Sequence, residues 1–244
     1  MTLLKHEIKM NLKALFIWAF SVGILCAGCI LLFESLEESM QGMAEAYSDM
    51  GAFSAALGMD KLSVSTMEGF YGTEIALMFA VGGAMFAAMM GAAMLSKEEE
   101  GHTCEFLATL PLRRGKILFE KYAALILLVA LFNLLTVLWI LTGFAGTGEM
   151  PDIRTLARYH GAQLLMQLEV GSVCFFISAI SKKRQVGACL GLAILLYIAD
   201  LMCRIIPDLE NLKYITPYYF SNGADIFAGG KVDGGYHILC PLLF

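Results

Sequence analysis

Long apolar runs alternate along the chain with short polar segments. The runs occupy about 14–33, 73–95, 119–143, 160–180 and 186–206. A hydrocarbon core about 30 Å thick is crossed by roughly 20 residues of helix, so each run predicts a membrane-spanning helix. The run at 160–180 is the least continuous, because Gln163, Gln167 and Glu169 interrupt it. A sixth run, which starts near Tyr236, reads HILCPLLF over 237–244 and stops at Phe244. Eight helical residues rise only about 12 Å, too little to cross. An apolar end inside the membrane would strand backbone carbonyls, so the pattern predicts a sixth span cut short.

The polar segments carry their own pattern. Residues 97–121, KEEEGHTCEFLATLPLRRGKILFEK, begin acidic, turn amphipathic, meet Pro111 and end basic. Acids favour a helix start and bases its end. Thr103 is a candidate N-cap, and Pro111 disfavours helix at Leu110. The spacing predicts about two turns of helix presenting Phe106, Leu107 and Leu110 on one side. A helix so short is marginal in water alone. Either docking on another body orders it, or the segment is a plain charged loop between spans. Residues 2–13, TLLKHEIKMNLK, place Lys5, Lys9 and Lys13 beside a stripe of Leu4, Ile8 and Leu12. This predicts a helix lying in the membrane interface, or a simple basic flank.

Composition sharpens the class. The 244 residues are 58% hydrophobic and 16% charged, against about 25% charged in soluble domains. A polytopic membrane protein with one membrane domain over 1–244 follows. Lys and Arg set its orientation. With the N-terminus inside, the inner segments carry eleven (Lys5, Lys9, Lys13, Lys97, Arg113, Arg114, Lys116, Lys121, Lys182, Lys183, Arg184) and the outer ones six. The acidic segment 34–70, with one Lys, reads as an outer loop. The seven cysteines lie mostly in apolar runs and are not spaced as a disulfide framework. Cys26-Ala27-Gly28-Cys29 reads as small residues packing against a neighbouring helix.

Candidate chemistry is sparse. No HExxH, GxSxG or GxxxxGK[ST] motif occurs, and His6, His102, His160 and His237 are scattered. Without a phosphate-binding loop, any ATP must sit on another chain. No basic run with interleaved aromatics suggests nucleic-acid binding. Glu169, in the fourth run, is an intramembrane carboxylate and hence a functional candidate, unless Gln163 and Gln167 hold it in a structural network. Met78, Met85 and Met89 fall near one face of the second run, and read as a flexible apolar path or as ordinary packing. Gly82, Gly83, Ala87 and Gly91 permit close helix approach there. Gly187 and Gly191 hint at a further helix crossing, and Asp200 and Arg204 are spaced as a helical ion pair.

The run Glu99–Arg114 resembles the E-x-G-T-x-E-x-L-L-x-x-P-x-x-R signature of permease subunits of ABC-2-type transporters. The matching positions are Glu99 or Glu100, Gly101, Thr103, Glu105, Leu107, Pro111 and Arg114, with Arg113 adjacent. His102, inserted between Gly and Thr, and Ala108, in place of a second Leu, depart from it. Residues 212–220 with Asp225-Ile226-Phe227 are similar to the outer segment between the last two spans of that family, where a motif like Thr216-Pro217-Tyr218 caps the transport path. The resemblance implies an all-α, six-span, type V exporter-like fold in the cytoplasmic membrane. It makes 97–118 a cytoplasmic coupling segment that docks on a separate ATPase, and 2–13 a connecting helix beside it. It implies a homodimer or heterodimer of permeases among membrane lipids, with the second and fifth spans facing the path. ATP and Mg would be bound by the ATPase and no cofactor by this chain. The cargo is unspecified: a peptide antibiotic, a lipid or another hydrophobic compound. The alternatives are a resistance or sensing complex without transport, and a small intramembrane enzyme using Glu169.

Overall fold

A computed structural model describes residues 2–48, 51, 54, 58–59, 61–109 and 112–229. All regular structure among them is helical. Five helices are long and apolar enough to span a membrane. They belong to α1 (Thr2–Ser48), α2 (Met67–Ala93), α5 (Arg114–Thr147), α6 (Ile153–Ile180) and α7 (Val186–Ile205). Two short helices, α3 (Ser96–Glu100) and α4 (Cys104–Thr109), connect α2 to α5. After α7 come the 3₁₀ turns Pro207–Tyr214 and Tyr219–Ser221, then α8 (Gly223–Phe227). The run expected as a sixth span, from Tyr236, lies outside the described residues.

Local chemistry sets the helix ends. The Thr66 hydroxyl accepts from Gly69 N–H at 3.1 Å and starts α2 six residues before the apolar run. Asp152 does the same for α6, accepting from Thr155 N–H at 3.0 Å. Gly148, at φ 75°, closes α5 in a left-handed cap. The helix expected at 2–13 and the span expected at 14–33 form one element, α1, which runs without a break from Thr2 to Ser48. Neither glycine nor proline stands between residues 2 and 22, so nothing ends the helix at residue 13. The stripe Leu4, Ile8 and Leu12 packs on the protein core, while Lys5, Lys9 and Lys13 are exposed. At about 1.5 Å per residue α1 is some 70 Å long, and its last turns replace part of the expected 34–70 loop.

α2 divides the core into two. One face carries Phe79 and Phe86, which stack on Phe132 of α5 at 6.3 and 4.6 Å, in a cluster shared with α1. The other is an alanine stripe, Ala80, Ala84, Ala88 and Ala92, repeating every four residues against α6 and α7. Small residues let backbones come together there. A Cβ on Gly91 would lie 2.4 Å from the carbonyl oxygen of Gly171 in α6, so only glycine fits. The close approach expected of Gly83 and Gly91 is therefore realised between α2 and α6. Gly187 and Gly191 on α7, by contrast, meet no neighbour within 4 Å among the described residues. The six described cysteines are all free, Cys26 and Cys29 included.

Candidate coupling site and the opposite end

At one end of the bundle the connection from α2 to α5 is locked to three spans by ionic contacts. Lys121, on the second turn of α5, is fully buried. Its ammonium group donates to Glu7 Oε1 at 2.6 Å, Met94 O at 2.9 Å and Glu98 Oε1 at 2.9 Å. Those three acceptors match its three hydrogens. Glu7, on α1, is buried too and also pairs with Lys97 of α3. Two carboxylates thus meet two ammonium groups, and the cluster is neutral, with Glu7 and Lys121 buried and Lys97 and Glu98 at its partly exposed edge. Next to it Glu120 Oε2 accepts from Leu4 N–H at 3.1 Å, capping the first turn of α1 from α5. From α6, Ser178 Oγ accepts from the N–H groups of Leu95 and Ser96 at 3.0 and 2.9 Å, capping α3 from outside. Burial alone would raise the Glu98 carboxyl. Hydrogen bonds from Thr103 and Lys121, with the charges of Lys121 and Lys97, outweigh it and hold Glu98 below the usual carboxylate range.

The strip itself is two helices joined by a turn. His102 N–H bonds Glu99 O at 3.2 Å and Thr103 N–H bonds Glu98 O at 2.9 Å. This pair of bonds is a Schellman motif, whose left-handed position is usually glycine. Here His102 occupies it, at φ 54°. The residue that departs from the family pattern is therefore the one that turns the chain. Thr103 stands just before α4 as expected of a cap, but its hydroxyl donates back to the Glu98 carboxylate. Glu99, Glu100, Gly101, Thr103 and Glu105 are exposed, as are Arg113 and Arg114 beyond them. The Phe106 and Leu107 side chains, and Leu110 and Pro111 altogether, lie outside the described residues. Glu100 Oε2 accepts from Arg184 Nε at 2.7 Å, tying the strip to the α6–α7 link across an exposed pair. That guanidinium holds the Glu100 carboxyl below its ordinary value.

The opposite end holds a second network. Asp200 and Arg204 form the expected ion pair at 3.2 Å, but it is largely buried and does not stop there. Arg204 Nη1 reaches Asp225 at 2.9 Å, Nη2 donates to Tyr219 O at 3.0 Å, and the guanidinium lies 4.6 Å from the Tyr219 ring centre. Asp225 also accepts from Lys61 at 2.6 Å. Partial burial would raise the Asp225 carboxyl, yet Arg204 and Lys61 together hold it below the usual range. Thr216, buried, donates to Leu196 O at 3.0 Å, and Tyr218 packs its ring on Tyr197. The Thr216-Pro217-Tyr218 segment is thereby folded back onto α7.

The candidates inside the spans are dispersed. Met78 and Met89 pack against the aromatic cluster, and Met85 is half-buried. The two glutamines near Glu169 serve other partners: Gln163 donates to Ser221 O at 2.7 Å and Gln167 accepts from Asn133 Nδ2 at 2.7 Å. Glu169, half-buried, follows Gln167 by two positions, about 200° round the helix. Glu7, Lys121 and Ser178 belong to no motif in the sequence. The available signal was a lone acid within the apolar stripe of 2–13 and a lysine just inside a span.

The family model described as ABC-2 family transporter protein matches residues 1–220. No curated protein and no solved structure matches the chain. The family match covers all five spanning helices and the connection between α2 and α5 on which the resemblance rests. The chain belongs to the ABC-2 family of transporter proteins, as a multi-pass permease, the membrane component of an ABC transporter.

Proposed function

We propose that this chain is the permease subunit of an exporter driven by a separate cytoplasmic ATPase, and that the ATPase docks on α3, α4 and the first turns of α1. The observation that carries this reading is the Glu7–Lys97–Glu98–Lys121 cluster, whose central pair, Glu7 and Lys121, is buried. A surface connection needs no buried charges; burying them costs free energy unless they are fully paired. Paired, they make the strip one body with the ends of α1, α2 and α5, and Ser178 adds α6. A push on the strip therefore reaches four spans. Nucleotide-driven closure of two ATPases would move two permeases between an inward and an outward state, each favoured by different contacts.

In this reading the N-terminus and the strip are cytoplasmic, in the cytoplasmic membrane, and a sixth span completes the fold. Two permeases, alike or related, pair around the path. α7 is the most exposed of the five spans and carries Gly187 and Gly191 on open surface, which suits it to that contact. ATP and Mg sit on the ATPase. The cargo is a hydrophobic or amphiphilic compound.

Glu105, exposed on α4, is the residue to test. Glu105→Arg is expected to abolish transport and recovery of the ATPase from detergent-solubilised membranes, with insertion unchanged. Full transport by this variant would refute docking at the strip.

A further inference from the structure

An apolar groove of about 360 Å³ runs where α1 meets α5, lined by Ile8, Leu127, Leu128, Ala130, Leu131 and Leu134. Three observations say what fills it.

The first is its place. Leu127, Leu131 and Leu134 stand at i, i+4 and i+7, on one face of α5. From Leu127 to Leu134 the helix rises about 10 Å, roughly a third of a hydrocarbon core. Leu127 and Leu134 are exposed, and Ala130, the smallest side chain of the wall, lies between them. A wall made only of hydrocarbon, within two spans, is filled from the bilayer by an alkyl chain. The volume takes a length of one chain rather than a whole lipid.

The second is charge at one end. Glu120 accepts from Leu4 N–H, and Gly143 lies against Ala27, so α1 and α5 run side by side in the same direction. Ile8 is therefore at the end of the groove nearer the strip. Lys5 precedes Ile8 by about one turn and Lys9 follows Lys5 by another, both exposed. Side chains lean toward the N-terminus of their helix, and lysines reach for the polar edge of a bilayer. Both ammonium groups thus collect at the mouth of the groove. On α5, exposed Lys116 precedes Leu127 and Leu134 by about three and five turns, and so stands on the groove's own face.

The third is the lack of a counter-charge. Lys5, Lys9 and Lys116 have no hydrogen bond or ion pair among the described residues. The acids beside them are engaged elsewhere. Glu7 holds Lys97 and Lys121, and Glu120 takes Leu4 N–H, with Lys116 acting on it only through space. Lys5 and Lys9 each stand two positions from Glu7, about 200° round α1, and so face away from the cluster that locks the strip.

An alkyl chain within the membrane and three unanswered cations at its edge describe an anionic phospholipid. Each lysine near a membrane surface adds to the attraction for anionic head groups. A zwitterionic head group carries its own cation beside the phosphate and offers these lysines no net charge.

We propose that the groove between α1 and α5 holds one anionic phospholipid, its phosphate against Lys5, Lys9 and Lys116 and an acyl chain along Ile8 to Leu134. The site does not depend on the ATPase reading, because its lysines lie on the other side of α1 from the strip.

The test uses the whole protein in a neutral detergent. Native mass spectrometry counts bound dioleoyl phosphatidylglycerol and dioleoyl phosphatidylcholine, which share their acyl chains. One phosphatidylglycerol is expected to bind saturably, at least about tenfold tighter than phosphatidylcholine. Lys5→Gln combined with Lys9→Gln should weaken phosphatidylglycerol by at least about tenfold and leave phosphatidylcholine unchanged. Ala130→Phe fills the groove with every lysine in place, and should weaken phosphatidylglycerol by about tenfold. Lys182→Gln combined with Lys183→Gln removes the same charge from exposed positions in the α6–α7 link and should change nothing. Equal binding of the two lipids, or equal loss from the two lysine pairs, leaves only general attraction to a basic surface and overturns the proposal. Undiminished phosphatidylglycerol binding by Ala130→Phe overturns it too. If Ala130→Phe fails to fold, the two lysine pairs decide the matter.

Discussion

Lys121 directs all its hydrogens to acceptors inside the protein, so its removal would leave Glu7 buried with one partner fewer. Lys121→Met is expected to destabilise by about 3–5 kcal/mol, as for breaking a buried ion pair from one side. Adding Glu7→Leu should restore much of the loss, because no buried charge is then left unpaired, and the remaining Lys97 and Glu98 are opposite in sign and partly exposed. Thermal unfolding in detergent checks both, and wild-type stability of the single variant would deny the cluster a structural role. Glu98 adds an acid-sensitive element. Its pKa is lowered in the folded protein. Its contribution is therefore complete above the ordinary carboxylate range and is lost as pH falls through the lowered value. Glu98→Gln should flatten the fall of the unfolding midpoint with acidification in that window. At His102 the sign is reversed. The left-handed backbone costs a β-carbon about 1 kcal/mol, so His102→Gly should raise the midpoint by about 2–4 °C in a chain of this size. These residues were hard to read because their partners are remote. Glu7 and Lys121 are 114 positions apart, and each looks locally like decoration of a basic flank.

Whole elements were more legible, because a span is written in its own residues. Twenty apolar positions give a helix whatever packs on it, whereas its ends are set by single capping residues, Thr66, Asp152 and Gly148, that hydropathy does not mark. Length was misread where polarity and helicity part company. The last turns of α1, with Glu34, Glu37 and Glu38, are too polar for a span yet contain no early breaker, so the helix runs on. Packing between elements can be tested by two glycine substitutions. Gly91→Ala must force α2 from the backbone of α6 and should cost about 1–3 kcal/mol. Gly187→Ala meets no neighbour within 4 Å and should leave stability within about 0.5 kcal/mol. The pair, unfolded side by side, distinguishes a contact inside the chain from surface left for another body.

For the molecule as a whole, α7 is the most open of the five described spans. In the exporter reading Gly187→Leu should lower the fraction of paired permeases in cross-linked membranes while the single chain stays folded. The alanine stripe on α2 gives this span a further property. α6 is fastened to α2 by a backbone contact at Gly91, by Tyr159 donating to Ala76 O at 2.8 Å, and by Ser178. α7 meets the same stripe through Cys189 and Ala193, and is tied elsewhere by Arg184 just before its first turn, by Thr216 reaching Leu196 at mid-helix, and by Arg204 in its last turn, on Asp225 and Tyr219 O. Methyl groups at four-residue spacing offer no deep notches for side chains to lock into. The stripe thus gives α2 two unlike seams: α7 rests on it through apolar contact, while α6 is pinned beside it by hydrogen bonds and touching backbones.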